Sequence, residues 1–263
     1  IAPRRSLSRP AHARRGAMNR AFSLPILAAL FAPFVACTTT VDQTAEETGA
    51  LGFEDPRFAG APAANYAACA TCHSGASSIP RTSRIFPGAP LAGVVDRARY
   101  WGGAEVDLAT SVNHCRSSFQ GAPPLDRTTE AARSLYAFLL SLPKTTTTEV
   151  PFTVVRSAID LPPPAVRDEA QGKSLYTAAC ATCHGDAHTG KRRLAASIPV
   201  LPEDTIAEHT YLGTLTATRV VFIEKVRHGG FLGYGGVMPP FSLETLSDAE
   251  LADILDYLGV YFR

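Results

Sequence analysis

The sequence predicts a mostly α-helical chain made of two similar domains in tandem. Three observations lead to this prediction. The hexapeptide ACATCH occurs twice, 111 residues apart, and an amphipathic helix pattern follows each copy. No stretch of the chain shows the alternation of apolar and polar residues that is typical of β-strands. A chain of 263 residues is also long enough for two domains of about 100 residues each.

The closing helix of each half carries the clearest local signal. Thr128 or Thr129 is the expected N-cap of the first, and Ser247-Asp-Ala-Glu250 is a capping box for the second. An opening helix is predicted over Asp168–Ala179, in which Gly172 would let another helix approach closely. The apolar stripes of the closing helices are Leu135, Phe138, Leu139 and Leu142, and Leu251, Ile254, Leu255 and Leu258.

The predicted domains cover residues 52–143 and 166–263. Residues 144–165 between them contain runs of threonine and proline, which favour an extended linker. Residues 37–51 are predicted to form a polar tether, and residues 1–36 a signal peptide.

The N-terminal segment predicts export. Phe22–Ala36 is an apolar run of 15 residues, shorter than the roughly 20 that a transmembrane helix needs. A signal peptide starting at Met18 fits this pattern, with residues 1–17 as upstream sequence; an uncleaved anchor is the alternative. Small residues before Cys37 resemble a bacterial lipoprotein box, which predicts a lipid-anchored protein of the bacterial periplasm. Ordinary cleavage nearby would instead give a soluble periplasmic protein.

The repeated hexapeptide contains two C-x-x-C-H motifs. Two thiols on one helical turn can add to the two vinyl groups of one haem, and the next histidine is then placed to bind the iron. A four-cysteine zinc site would need two pairs closer in sequence, and a redox C-x-x-C pair requires neither the histidine nor the duplication. The motifs therefore predict two covalently bound haem c groups. The attachment residues are Cys69, Cys72, Cys180 and Cys183, and the axial histidines are His73 and His184.

The second domain offers Met238 as the other axial ligand. It ends a glycine-rich loop and is followed by two prolines, which favour an extended backbone before them. A thioether ligand raises the reduction potential of the iron. The alternatives are Met238 as core filler and His228 as the ligand.

The first domain contains no methionine, so its candidates are His114 and Cys115. On a helix capped by Asp107, Cys115 shares the apolar face with Leu108, Val112 and Phe119, whereas His114 falls on the polar side. This spacing favours Cys115 facing the haem. An inert buried cysteine, with His114 or no residue on the iron, remains the alternative.

The segment Arg99–Cys115, followed by Ser118–Leu125, resembles the first haem domain of thiosulfate dehydrogenases and their SoxA relatives. The second domain resembles a class I cytochrome c. The resemblance implies that Cys115 is a distal haem ligand. Arg97 and Arg99 lie near the position of one arginine of that family's substrate pocket without a secure match, and if the chain is an enzyme its candidate catalytic residues are Cys115 and Arg99. In that family an arginine usually precedes the Val-Asn pair and helps hold the anionic substrate, but this chain has Ser111 there.

These observations predict a periplasmic dihaem cytochrome that transfers single electrons. Oxidation of a small sulfur anion at the first haem, and service as an electron-transfer subunit of a larger membrane oxidoreductase, are the alternatives. Beyond residue 36 the chain has 19 basic and 24 acidic side chains. This acidic excess argues against nucleic acid and favours redox partner proteins with basic docking surfaces.

Overall fold

The computed structural model describes residues 43–60, 66–75, 81, 83–145, 150–153, 155, 159–229 and 236–261. The predicted signal peptide, Cys37 and residues 230–235 of the glycine-rich loop lie outside the described residues. In the part of the chain that is described, no helix is long and apolar enough to cross a membrane.

Regular structure within these described ranges is helical, apart from one isolated bridge between Tyr100 and Glu105. The first half contains α1 (Ala45–Glu54), α2 (Cys69–Cys72), α3 (Leu108–Cys115) and α4 (Glu130–Ser141). The second half contains α5 (Glu169–Ala179), α6 (Ala181–His184), α7 (Glu203–Glu208), α8 (Leu215–Arg227) and α9 (Asp248–Tyr257). The predicted fold class, mostly α with two tandem domains, is confirmed.

Side-chain caps begin four of these helices at residues that the sequence indicated. Asp107, Thr129 and Asp168 each accept a hydrogen bond from the backbone amide three residues further on. At α9, Ser247 Oγ accepts from the amide of Glu250 at 3.3 Å, and the Glu250 carboxylate accepts from the amide of Ser247 at 2.8 Å. Each cap satisfies amides that have no partner within the helix and so fixes where the helix starts.

The first helix starts within the segment that the sequence assigned to the tether. Thr44 and Glu47 form a capping box at its start, and Phe53 is buried near its end. Because α1 packs along α4, it belongs to the first domain. The predicted boundary between the tether (37–51) and the domain (52–143) therefore falls inside this helix.

Glycines bring the opening and closing helices of each half into close contact. A Cβ atom built on Gly49 of α1 would lie 2.0 Å from the carbonyl oxygen of Ser134 in α4. One built on Gly172 of α5 would lie 2.5 Å from the carbonyl oxygen of Asp253 in α9. Neither distance leaves space for a side chain, so the approach predicted at Gly172 is confirmed and recurs in the first half.

An aromatic pair follows each glycine at the same spacing. Phe53 and Phe138 pack with ring centroids 5.2 Å apart, and Tyr176 and Tyr257 with centroids 5.7 Å apart. On the opening helix, the aromatic residue lies four positions after the glycine. On the closing helix, it lies four positions after the residue whose carbonyl the glycine contacts. The two halves therefore repeat one helix-crossing design.

Candidate haem sites

The first C-x-x-C-H motif forms one short helical turn. Cys69 and Cys72 bound α2, and the amide of His73 donates to the carbonyl oxygen of Cys69 at 3.0 Å. Both thiols are free of disulfide bonds. Burial raises the pKa values of both thiols, that of Cys72 to about 12, so the motif presents two neutral thiols beside one imidazole.

The imidazole of His73 is held through Nδ1, which leaves Nε2 as the other ring nitrogen. Nδ1 lies 2.9 Å from the carbonyl oxygen of Ala89, and since a carbonyl only accepts, Nδ1 carries the proton and donates. Burial lowers the pKa of His73, which favours the neutral ring. Nε2 is then the basic nitrogen, as an axial iron ligand requires.

The second motif repeats this arrangement. Cys180 precedes α6 and Cys183 lies within it, and neither forms a disulfide. His184 is buried, and its Nδ1 lies 2.9 Å from the carbonyl oxygen of Pro199. Burial lowers the pKa of His184 as well. Both motifs thus hold a neutral histidine through a hydrogen bond from Nδ1 to a backbone carbonyl.

A cavity of about 550 Å³ opens beside the first motif. Cys69, Cys72 and His73 lie on its wall. The rest of the lining is largely apolar, and includes Phe53, Leu91, Val94, Leu108, Val112, Phe119, Leu135 and Leu139. A planar, mostly apolar group attached through two thiols would fit such a space.

Cys115 lies on the wall of the same cavity, whereas His114 does not. Burial raises the pKa of the Cys115 thiol. The His114 side chain is 44% exposed, and its Nδ1 lies 3.4 Å from Glu105 Oε1. The structure therefore brings Cys115 together with His73 and directs His114 outward, as the helical spacing predicted for these two faces.

A π-helical turn over Arg116–Gln120 follows Cys115 directly. Arg116 is buried and donates to three backbone carbonyls: Pro123 at 3.0 Å, Phe58 at 3.3 Å and Ala59 at 3.4 Å. This anchoring ties the end of α3 to the wall of the cavity. Sequence periodicity gave no sign of the turn, because a π turn departs from the spacing of an α-helix.

Gln120 at the end of this turn reaches the first motif. Its Nε2 donates to the carbonyl oxygen of Ala67 at 3.1 Å and lies 3.9 Å from Cys69 Sγ. The π turn therefore links the cysteine of α3 to the thiols of α2. This contact was not predicted from the sequence.

Besides Arg116, two further arginines and Ser111 line the cavity. Arg97 Nη2 donates to the carbonyl oxygens of Pro90 and Ala92, while its Nε is buried without a hydrogen-bond partner. Arg99 is exposed and donates from Nη1 to the carbonyl oxygen of Gly103 at 3.4 Å. The hydroxyl of Ser111 donates to the carbonyl oxygen of Asp107 at 3.0 Å.

Met238 packs against the core of the second half. The backbone of Gly229 contacts it closely: a Cβ atom on Gly229, whose φ is +53°, would lie 1.9 Å from the Met238 carbonyl oxygen. His228 is completely buried, and its Nδ1 contacts the carboxylate of Glu224 on α8. His228 thus contacts a residue of the helix that it follows, whereas Met238 lies in the described C-terminal part of the glycine-rich loop.

Buried Arg227 supports this end of the loop. It donates to the carbonyl oxygen of Leu246 at 2.6 Å and pairs with Asp248 Oδ1 at 2.6 Å. These bonds hold the C-terminal end of α8 against the start of α9. The next two residues after Met238, Pro239 and Pro240, line the cavity of the first motif.

Comparison with known proteins finds a family match within the second half. Residues 167–258 match the family described as cytochrome C oxidase, cbb3-type, subunit III. No curated protein matches the chain. Among solved structures, the chain is similar to thiosulfate dehydrogenase (TsdBA) from Marichromatium purpuratum in its as-isolated form, with 18% identity and a TM-score of 0.36. That match covers 82% of this chain and 46% of the other, so this chain spans less than half of that protein's length.

Proposed function

We propose that this chain, in which residues 167–258 form a cytochrome c domain, transfers single electrons between two covalently bound haem groups. One observation carries the proposal. His73 and His184 each follow a C-x-x-C pair and each direct Nδ1 to a backbone carbonyl 2.9 Å away. This arrangement fixes the ring and increases the basicity of the nitrogen that would bind iron.

The residues present at the first motif fit a haem. Two free thiols and a neutral imidazole border a cavity of about 550 Å³. Arg97, on the cavity wall, has a buried Nε without a hydrogen-bond partner, which a haem carboxylate would satisfy. A bound haem c supplies one-electron redox chemistry at its iron.

The remaining axial positions are assigned to Cys115 in the first domain and Met238 in the second. Cys115 shares a cavity with His73, and Met238 follows the glycine-rich loop. A thiolate donates more electron density than a thioether, so the first site would have the lower reduction potential. Electrons would then pass from the N-terminal to the C-terminal site.

Haem stoichiometry tests this proposal. Pyridine haemochrome absorbance and intact mass of the purified holoprotein should give two haems per chain. The double variants Cys69→Ala/Cys72→Ala and Cys180→Ala/Cys183→Ala should each lose one haem, while the matched control Cys115→Ala should keep both. One haem in the wild-type protein would contradict the dihaem function.

The chain is further proposed to be periplasmic and lipid-anchored at Cys37, with basic redox partners. The apolar run Phe22–Ala36 before Cys37 and the acidic excess beyond residue 36 support this proposal. Fractionation of cells producing wild type and Cys37→Ala tests it. Wild type should remain with the membrane, and the variant should be released on osmotic shock or remain unprocessed. Wild type that is released by gentle shock would contradict the anchor.

Two other functions rest on specific observations. Arg97 and Arg99 line the same cavity as Cys115, which favours oxidation of a small sulfur anion as a second candidate. The match to an oxidase subunit family favours service as the electron-transfer subunit of a membrane oxidoreductase. Electron transfer remains the leading proposal because binding a sulfur anion requires positive charge. Ser111 supplies only a neutral hydroxyl, which already donates to a backbone carbonyl.

A further inference from the structure

The segment that follows the first motif packs against the second domain. Ile85 is 4% exposed and belongs to the apolar core that contains Leu175 and Tyr176. Its amide donates to the carbonyl oxygen of Ala178 at 2.9 Å, two residues before Cys180. The backbone next to residue 84 is therefore fixed beside the second motif.

Arg84 turns back from this position to the first motif. Its Nη2 donates to the carbonyl oxygen of Thr71, between Cys69 and His73, at 2.6 Å. Its guanidinium carbon lies 4.2 Å from the ring centroid of Phe86, a cation–π contact. A hydrogen bond and a ring contact thus hold one positive charge between the two attachment motifs.

Arg84 therefore lies close to both motifs. Its guanidinium bonds to Thr71 within the first motif, and the amide of the next residue, Ile85, bonds to Ala178 just before the second. Pro239 and Pro240 of the second domain line the cavity beside the first motif, so the two domains are also in contact there.

We propose that Arg84 is a shared tuning residue, whose fixed positive charge, held between the two motifs, raises the reduction potential of both haems. This inference rests on the proposed dihaem function. Reduction adds one electron to a haem and removes one positive charge from its iron. A nearby cation stabilises that reduced form, and the effect is strong where the surroundings are partly buried and weakly screened.

Three variants of the purified holoprotein test the role of Arg84. Arg84→Gln removes the charge, and Arg84→Lys keeps it while losing the planar hydrogen-bonding group. Arg81→Gln is the matched control, since Arg81 lies three residues away but is exposed and pairs with Glu250 at 2.6 Å. Spectroelectrochemical titration would give both midpoint potentials for each protein, and thermal unfolding would report stability.

Arg84→Gln should lower both midpoint potentials, Arg84→Lys should largely retain them, and Arg81→Gln should leave both unchanged. A merely structural role would lower the unfolding temperature of the Gln and Lys variants alike without a common shift of the two potentials. A shift of only one potential, or equal shifts in all three variants, would overturn the inference.

Haem stoichiometry distinguishes failure of the dihaem proposal from failure of the Arg84 proposal. A single haem per wild-type chain would overturn the dihaem function itself. Two haems whose potentials are unchanged in Arg84→Gln would overturn only the role of Arg84.

Discussion

Gly88 contacts the imidazole of His73 so closely that a Cβ atom on residue 88 would lie 2.4 Å from Cε1 and 2.5 Å from Nδ1. The same atom would lie 2.7 Å from the carbonyl oxygen of Cys72. The next residue, Ala89, supplies the carbonyl that accepts the Nδ1 hydrogen bond. The backbone at 88–89 therefore sets the orientation of the histidine ring.

Gly88→Ala should disturb the first haem site selectively. The added methyl has no space beside the ring, so His73 must rotate or its hydrogen bond to Ala89 must lengthen. We expect a changed EPR signal and a shifted potential for the first haem, with the second unchanged. In the matched control Gly75→Ala, the new Cβ would lie 3.2 Å from a Leu142 methyl, which can move. Wild-type spectra for Gly88→Ala would contradict this account of the ring.

Gly172→Ala should destabilise the second domain. The added methyl would lie 2.5 Å from a backbone oxygen of α9, and overpacking of this kind costs about 1–3 kcal/mol. Alanine recovers up to about 1 kcal/mol of helix propensity, so the net loss should be smaller. At about 4–8 °C per kcal/mol for a domain of this size, the unfolding temperature should fall by several degrees. The exposed neighbour Lys173→Ala should change it little, and an equal effect of both variants would contradict the close crossing.

Met238→Ala should alter the second haem alone. Loss of a thioether ligand removes the near-infrared sulfur-to-iron band and lowers the potential of that haem. Absorption spectra of the oxidised protein and a redox titration provide the measurements. Val237→Ala, at the exposed neighbouring residue, should retain both properties. An unchanged band in Met238→Ala would exclude Met238 as the ligand.

Cys115→Ala should remove the thiolate-type EPR signal of the first haem and raise its potential. Cys115 lies on the cavity wall with His73, and binding to iron would favour its thiolate despite burial. His114→Ala is the natural control, because this side chain is adjacent in sequence but faces Glu105 outside the cavity. If His114→Ala alone changes the signal, the ligand assignment must be reversed.

Local chemistry explains what could be predicted from the sequence. The caps at Asp107, Thr129 and Ser247 depend on residues three positions apart, and helical spacing separated the faces of Cys115 and His114. These features need only short-range rules.

Contacts between distant segments could not be predicted in this way. The helix α1 buries Gly49 and Phe53 without a repeating leucine stripe, so its segment was assigned to a tether. The approach of Gly88 to His73 and of Ile85 to Ala178 joins loop residues to helices, where no periodicity marks the partner. Such pairings are set by tertiary packing alone.

The last prediction is that thiosulfate will reduce this protein weakly or not at all. A small anion bound beside a haem, which carries two carboxylates of its own, needs compensating positive charge. Ser111 occupies the position at which the family that the first domain resembles usually has an arginine. Its hydroxyl donates to the carbonyl oxygen of Asp107. Charge-assisted hydrogen bonds are roughly twice as strong as neutral ones, so this replacement should weaken anion binding markedly.

The other arginines at the cavity donate to backbone carbonyls, and the remaining buried donor, Arg97 Nε, is assigned to a haem carboxylate. Arg116 donates to three carbonyls, Arg97 donates from Nη2 to two, and Arg99 is exposed with Nη1 bonded to Gly103. Anaerobic mixing with thiosulfate, followed by haem absorbance and tetrathionate analysis, measures the activity directly, with dithionite as the control for reducible haem. Slow or absent reduction by thiosulfate alone is the expected outcome. Rapid reduction with tetrathionate as product, lost in Cys115→Ala, would instead make the protein an enzyme and replace the electron-transfer proposal.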